Sequence, residues 1–246
     1  MSSTWAYFWW VILPYVAMAV FIVGHIWRWR YDQYGWTSYS TQLQERRRLK
    51  WGAPLFHYGT FAAIGGHVLG ILVPKSWIDA IGIDEHVYHL FSATAGLIAA
   101  ALVIVGMGIL ATRRLFVPRV KATTSPVDWV AMVLLGIMVI LGIVVTAINA
   151  PLGHEYRDTI SIWFRSLFTG SADVSVALQA PLYFQIHAVA AWLLFLLWPF
   201  TRLVHAWSYP LWYLWRPYVV YRSRKATPPP EPGTGGRKWR KIGTPY

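Results

Sequence analysis

Residues 51–73 read WGAPLFHYGTFAAIGGHVLGILV. The stretch holds no Asp, Glu, Lys or Arg, and the groups in it that titrate near neutrality are two histidines, His57 and His67. A helix that spans the hydrocarbon of a bilayer needs ~20 apolar residues, and this run is long enough. Working outward, residues 5–27, 87–112, 129–148 and 181–204 have the same character, with Arg202 as their one charged residue. In lipid each backbone N–H and C=O needs an internal partner, so such runs are helices. They are too continuous for barrel strands, which alternate. The sequence therefore predicts an all-α membrane protein with five transmembrane helices.

Composition agrees. Of 246 residues, 56% are apolar and 13% charged, about half the ~25% charge of soluble domains. Mean hydropathy is positive, which excludes disorder and argues against a water-soluble enzyme. Sixteen tryptophans and fourteen tyrosines suit the aromatic belts of a membrane interface. With no cysteine, disulfides, cysteine-ligated zinc, protein-held iron–sulfur clusters and thiol catalysis are excluded. The first apolar run lacks a preceding basic segment and is too long for a signal sequence, so it is read as the first helix.

The net charge of +12 is a topology signal. Nineteen of the 22 Lys and Arg fall on one side of the predicted bundle; Lys75, Arg157 and Arg165 fall on the other. Basic loops stay in the cytoplasm, which puts the N-terminus outside and the C-terminus inside. The basic residues then serve orientation and docking, and no nucleic-acid partner is expected. Residues 1–225 form one membrane domain, and 226–246 form a Pro/Gly/basic cytoplasmic tail. Ser125-Pro126-Val127-Asp128 predicts a capped start for the fourth helix. The long outer connection, 150–180, is expected to hold a short helix near 159–168.

Ionisable groups inside a membrane helix are costly and mark function. The second and fifth helices run antiparallel, so His57 falls level with His205, and His67 with His187. On uninterrupted helices the first two lie ~15 Å apart along one axis and the partners ~27 Å along the other, with His187 and His205 on one face. A flat macrocycle held edge-on tolerates that mismatch, whereas a four-ligand zinc site cannot be built from two histidines. Haem iron needs two axial ligands and, once both are filled, only transfers electrons. The alternative is four hydrogen-bonded packing histidines. His25 reads as snorkelling at the cytoplasmic end of the first helix, His86 and His89 as interfacial, and His154 as a loop residue. Gly59, Gly66 and Gly70 share a face that permits close approach of a helix or a macrocycle. Arg202 and Arg113 are candidates for holding haem propionates.

Several segments together resemble a known family. They are His25-Ile26-Trp27-Arg28 with Tyr31-Asp32-Gln33-Tyr34-Gly35-Trp36, Leu55-Phe56-His57-Tyr58-Gly59, and Gly65-Gly66-His67-Val68-Leu69-Gly70. Arg113-Arg114-Leu115-Phe116 with Pro118-Arg119 follows, then Trp198-Pro199-Phe200-Thr201-Arg202-Leu203-Val204-His205-Ala206-Trp207-Ser208. The set resembles the gamma subunit of membrane-bound respiratory nitrate reductase, a cytochrome b that oxidises quinol. The resemblance implies two haem b groups: His67 and His187 on the outer one, His57 and His205 on the inner one. It implies menaquinol or another quinol as substrate near the outer haem, at His67, Gly66, His86 and His89. It also implies an iron–sulfur beta subunit and a molybdenum alpha subunit as partners, and a bacterial cytoplasmic membrane as the location. The chain itself has no nitrate-reducing site. Some members carry a lysine near the outer start of the third helix, where this chain has Glu85-His86-Val87-Tyr88-His89. The readings set against this one are a di-haem cytochrome b of another quinone-linked complex and a haem-free anchor or transporter.

Overall fold

The structure is a computed structural model that describes residues 3–152, 156–208, 214, 215 and 217. His154, the tail 226–246 and residues 209–213 lie outside the described residues. Contacts divide the chain into two units, Met1–Tyr209 and Pro210–Tyr246, and all five membrane spans lie in the first. The spans are α1 (Thr4–Tyr31), α2 (Arg47–Leu72), α3 (Glu85–Phe116), α4 (Pro126–Pro151) and α6 (Leu182–Phe200). Between α4 and α6 sits α5 (Ile160–Phe168), where the sequence predicts a short helix. The described residues contain no strand. Apolar side chains remain exposed along every span, as on a surface solvated by lipid.

Irregular turns appear where proline removes a backbone donor. Pro14 has no N–H for the carbonyl of Trp10, and its ring would crowd that carbonyl. The chain answers with a π-turn over Phe8–Ile12, and the Trp10 carbonyl accepts instead from Trp163 Nε1 on α5 at 3.0 Å. The two indoles meet edge to face, with centroids 5.0 Å apart, at the centre of a buried cluster that joins α1, α5 and α6. A second π-turn, Val68–Leu72, ends α2 before Pro74. Helix ends leave carbonyls without partners. Here α5 supplies them: Ser161 Oγ and Arg165 Nη1 both donate to the Ile71 carbonyl, at 3.1 and 2.9 Å.

α2 and α3 pack closely because glycines face each other's backbone. A Cβ built on Gly106 would lie 2.3 Å from the Phe56 nitrogen, and one on Gly59 would lie 2.8 Å from the Ala99 carbonyl oxygen. The glycine stripe of α2 thus divides by task. Gly59 meets α3, Gly70 meets Tyr156, and a side-chain carbon at Gly66 would meet nothing within 4 Å.

Two expectations need correction. His25 does not snorkel. It is buried, its Nδ1 bonds the Phe21 carbonyl at 2.6 Å, and Trp36 and Trp207 close over its ring, with centroids 5.6 and 6.2 Å away. The fifth span is not one continuous helix through residue 204. Its α-helical part ends at Leu197, a 3-10 turn covers Trp198–Phe200, and Thr201 is extended (φ −111°, ψ 178°). A separate 3-10 segment, Arg202–Ala206, then carries His205. Pro199 is the cause, since it cannot continue the α-helical ladder. It packs on α1, where a Cβ at Gly24 would lie 2.7 Å from the Pro199 Cβ.

Candidate functional site

α2 runs from the Arg-rich end of the bundle and α6 returns toward it, so their histidines meet in two tiers. His57 and His205 form the pair at the Arg-rich end, with ring centroids 6.0 Å apart and planes at 72°. His67 and His187 form the pair at the opposite end, 6.1 Å apart with planes at 30°. The sequence brought the same residues together on a wrong premise about helix continuity. The break at Thr201 removes the length mismatch, because His205 does not continue the axis that carries His187.

Ring separation alone does not define a task, since packed aromatic pairs also lie ~4.5–7 Å apart. Hydrogen bonding adds an orientation, one that His25 shares through the Phe21 carbonyl. His57 Nδ1 bonds the Ala53 carbonyl at 2.7 Å, His67 Nδ1 the Ala63 carbonyl at 2.7 Å, and His205 Nδ1 the Arg202 carbonyl at 2.5 Å. A carbonyl can only accept, so each Nδ1 carries a proton, and in the neutral ring Nε2 is then the free acceptor. That tautomer is the one metal-ligating histidines adopt, with the other ring N–H on a carbonyl. His187 lacks such a tether: its Nδ1 is buried without a hydrogen-bond partner, and its ring lies against Gly142, where a Cβ would be 3.4 Å from Cε1.

These residues fit a haem. Two metal–imidazole bonds of ~2 Å, plus ~1 Å from each nitrogen to its ring centre, put the centroids ~6 Å apart. Both pairs have that spacing. A cavity of about 630 Å³ opens beside the pair at the Arg-rich end, lined by His57, His205, Met107, Arg46, Lys50 and Arg114 among others. Cofactor sites commonly measure ~300–1,000 Å³. At the other pair, His67 is exposed, and a side-chain carbon at Gly65 or Gly66 would meet nothing within 4 Å. The described residues hold no cluster of three His, Cys, Asp or Glu that would suit a compact metal site.

The two arginines proposed for propionates are occupied otherwise. Arg113 is buried and spends its donors on one loop: Nε on Glu45 (2.7 Å), Nη1 on the Thr41 hydroxyl (2.7 Å), and Nη2 on the Thr41 and Glu45 carbonyls (2.8 and 2.7 Å). Burial opposes the charge on Glu45, but the Arg48 N–H and the Arg113 guanidinium outweigh it and hold the carboxyl below its ordinary range. Arg202 is forked onto Asp128 through Nε and Nη2. Cations facing the cavity without such a clamp are Arg46 and Lys50. Arg114, which donates Nη1 to Thr124 at 3.2 Å, is held more loosely.

At the far end, His86 and His89 part company. His89 Nε2 bonds the Ala150 carbonyl of α4 at 3.1 Å. The His86 ring is exposed, and its backbone N–H is taken by the Asp84 cap at 2.9 Å. Sequence reading missed Lys75. Its ammonium reaches Glu85 at 2.7 Å and Asp158 at 3.4 Å, so a lysine does stand at the start of α3, delivered from the preceding connection. Spacing gave no sign of it, because the contact depends on a turn between helices.

A family profile described as nitrate reductase gamma subunit matches residues 6–224. The nitrate reductase gamma chain of Bacillus subtilis is 44% identical over 216 residues, covering 87% of this chain and 97% of that one. The respiratory nitrate reductase 1 gamma chain of Escherichia coli is 36% identical over 216 residues, covering 87% and 95%. A nitrate reductase-like protein, NarX, of Mycobacterium tuberculosis is 41% identical over 219 residues, which is 88% of this chain and 34% of NarX. On this coverage the chain belongs to the nitrate reductase gamma subunit family.

Proposed function

We propose that this membrane subunit oxidises quinol near the end opposite the Arg-rich face and carries the electrons across the bilayer through two haem b groups. The observation that carries the reading is the two-tiered histidine arrangement: two pairs at one spacing, with three of four rings tethered through Nδ1. His57 and His205 would hold one haem, and His67 and His187 the other. Bound by these histidines, haem would supply one-electron transfer and no substrate-binding position. Arg46, Lys50 and Arg114 would face the propionates of the first haem, while Arg113 and Arg202 hold the walls of its cavity.

The Arg-rich end is the cytoplasmic one by its charge, in the cytoplasmic membrane of a bacterium. There the electrons leave to an iron–sulfur beta subunit and a molybdenum alpha subunit, docked on the basic loops. Residues 1–225 are the membrane domain and 226–246 a tail on the same side. Oxidation of a quinol to a quinone releases two protons and two electrons. At the end that carries His67 and Gly66, the exposed His86 ring would take one hydroxyl proton and water the other, while Lys75, paired with Glu85 and Asp158, ties the start of α3 to the segment before α5. His89, tied to the Ala150 carbonyl, braces α3 on α4. His86→Ala should therefore slow quinol oxidation by ~100-fold, within the range of lost general-base catalysis. His89→Ala should chiefly lower stability. Steady-state kinetics with a menaquinol analogue separates them, and unchanged kinetics in His86→Ala removes the proton-acceptor role.

Haem content tests the whole reading. The purified subunit in its complex should carry two b-type haems per chain, both reduced by a menaquinol analogue. A colourless protein, expressed with ample haem, refutes the proposal and leaves the histidines to packing.

A further inference from the structure

His205 differs from the other histidines in what supports it. His57 and His67 are tethered to carbonyls inside α2, where the helical ladder fixes the backbone. His205 is tethered to the Arg202 carbonyl, in a 3-10 segment of five residues that follows the break at Thr201. Thr201 Oγ1 accepts the Leu203 N–H at 3.1 Å, but so short a segment has little internal stiffness. It is held from outside: Trp198 Nε1 donates to the Leu203 carbonyl at 2.8 Å, Val204 is fully buried, and the peptide that bonds His205 is held by the Arg202 side chain.

The Arg202 guanidinium is fixed from three directions. Nη1 donates to the Tyr39 carbonyl at 3.1 Å, the group lies 5.7 Å from the Tyr39 ring centre, and Nε and Nη2 fork onto the Asp128 carboxylate, the latter at 2.7 Å. Asp128 is buried at the start of α4 and is itself locked by a reciprocal cap. The Ser125 N–H donates to Asp128 Oδ2 at 2.8 Å, and the Asp128 N–H donates to Ser125 Oγ at 3.2 Å. Arg114 Nη1 stands 3.9 Å from the same carboxylate. A chain of contacts thus runs from the α4 cap through Asp128 and Arg202 to the His205 ring.

We infer that Asp128 and Arg202 are positioning residues: their ion pair sets the Arg202 peptide, and through it the orientation of the His205 Nε2 toward His57. The inference rests on the reading that His205 is an axial haem ligand. Forked, charge-assisted pairs fix geometry as well as energy, and removing one partner leaves the other buried charge uncompensated. Outer-shell changes of this kind weaken metal ligation by ~10- to 100-fold.

The test uses the intact complex carrying Asp128→Asn or Arg202→Lys. Haem transfer to apomyoglobin is timed for each haem, and low-temperature EPR is recorded, since the ferric low-spin line depends on the angle between the two imidazole planes. The haem at the 72° pair should leave ~10- to 100-fold faster in Asp128→Asn, and its EPR line should move. Arg202→Lys keeps the charge but loses the planar fork and should shift the same line by less. The haem at the 30° pair should keep its rate and its line, which also reports that the bundle has folded. Unchanged rates and lines in both variants overturn the inference, as does equal loss of both haems, which marks general destabilisation. Failure of the ligation reading looks different: His205→Ala would then retain both haems with unaltered lines.

Discussion

His67→Ala should abolish quinol-driven nitrate reduction while dye-driven reduction by the catalytic subunits persists. His67 has two tasks in the proposed scheme, an axial nitrogen for one haem and a wall of the quinol site. Its Nδ1 is committed to the Ala63 carbonyl, so removal of the ring deletes a pre-oriented ligand rather than a mobile one. The loss should be at least ~100-fold, since altering only the support of such a ligand already costs ~10- to 100-fold. Haem content should fall from two to one, and the remaining line should be that of the 72° pair. The comparison with dye separates electron delivery from catalysis downstream. Quinol oxidation that survives in this variant would sink both the ligation and the site assignment.

Gly106→Ala should have the largest effect on stability of any single-methyl addition along the α2–α3 seam. The new carbon would lie 2.3 Å from the Phe56 nitrogen and 2.8 Å from its Cα. Both are backbone atoms of a helix, so neither can rotate away. The helices must separate, at a cost of ~1–3 kcal/mol or more. Phe56 is the residue next to His57, so haem retention at that pair should fall as well. Gly108→Ala is the matched control: a carbon there meets nothing within 4 Å, and alanine is favoured over glycine in a helix by ~1 kcal/mol. Thermal denaturation of the two variants in the same detergent is the measurement. Equal midpoints would mean that the α2–α3 seam is softer than its glycines indicate.

The five spans were legible because hydrocarbon demands long apolar runs, and the histidine pairs because antiparallel order survives errors of detail. The break before His205 was missed, although two signs were present. Pro199 stands within the run, and the ~15 Å and ~27 Å separations disagreed under a continuous helix. Weighing proline against hydropathy would have found it. The tasks of Arg113 and Arg202 were not legible. An arginine beside a ligand looks the same in sequence whether it faces a propionate or an internal carboxylate. The carboxylates it meets, Glu45 and Asp128, are 68 and 74 residues away. Lys75 was hidden because a turn between helices brings it to Glu85 and Asp158.

The reliance of α1 and α2 on α5 also bears on how the protein is made. Chains emerge N-terminus first, so both irregular spans enter the membrane before residues 161–165 exist. Until then the Trp10 and Ile71 carbonyls lack the donors that later receive them, and bare carbonyls are poorly tolerated in lipid. Before α5 exists, water or other donors at that end of the bundle must serve these two carbonyls. The α5 donors reach both turns only after the fourth span has been made. His187 arrives later still in synthesis, so the tier containing His67 is completed only after the α5 donors to α1 and α2 have been made.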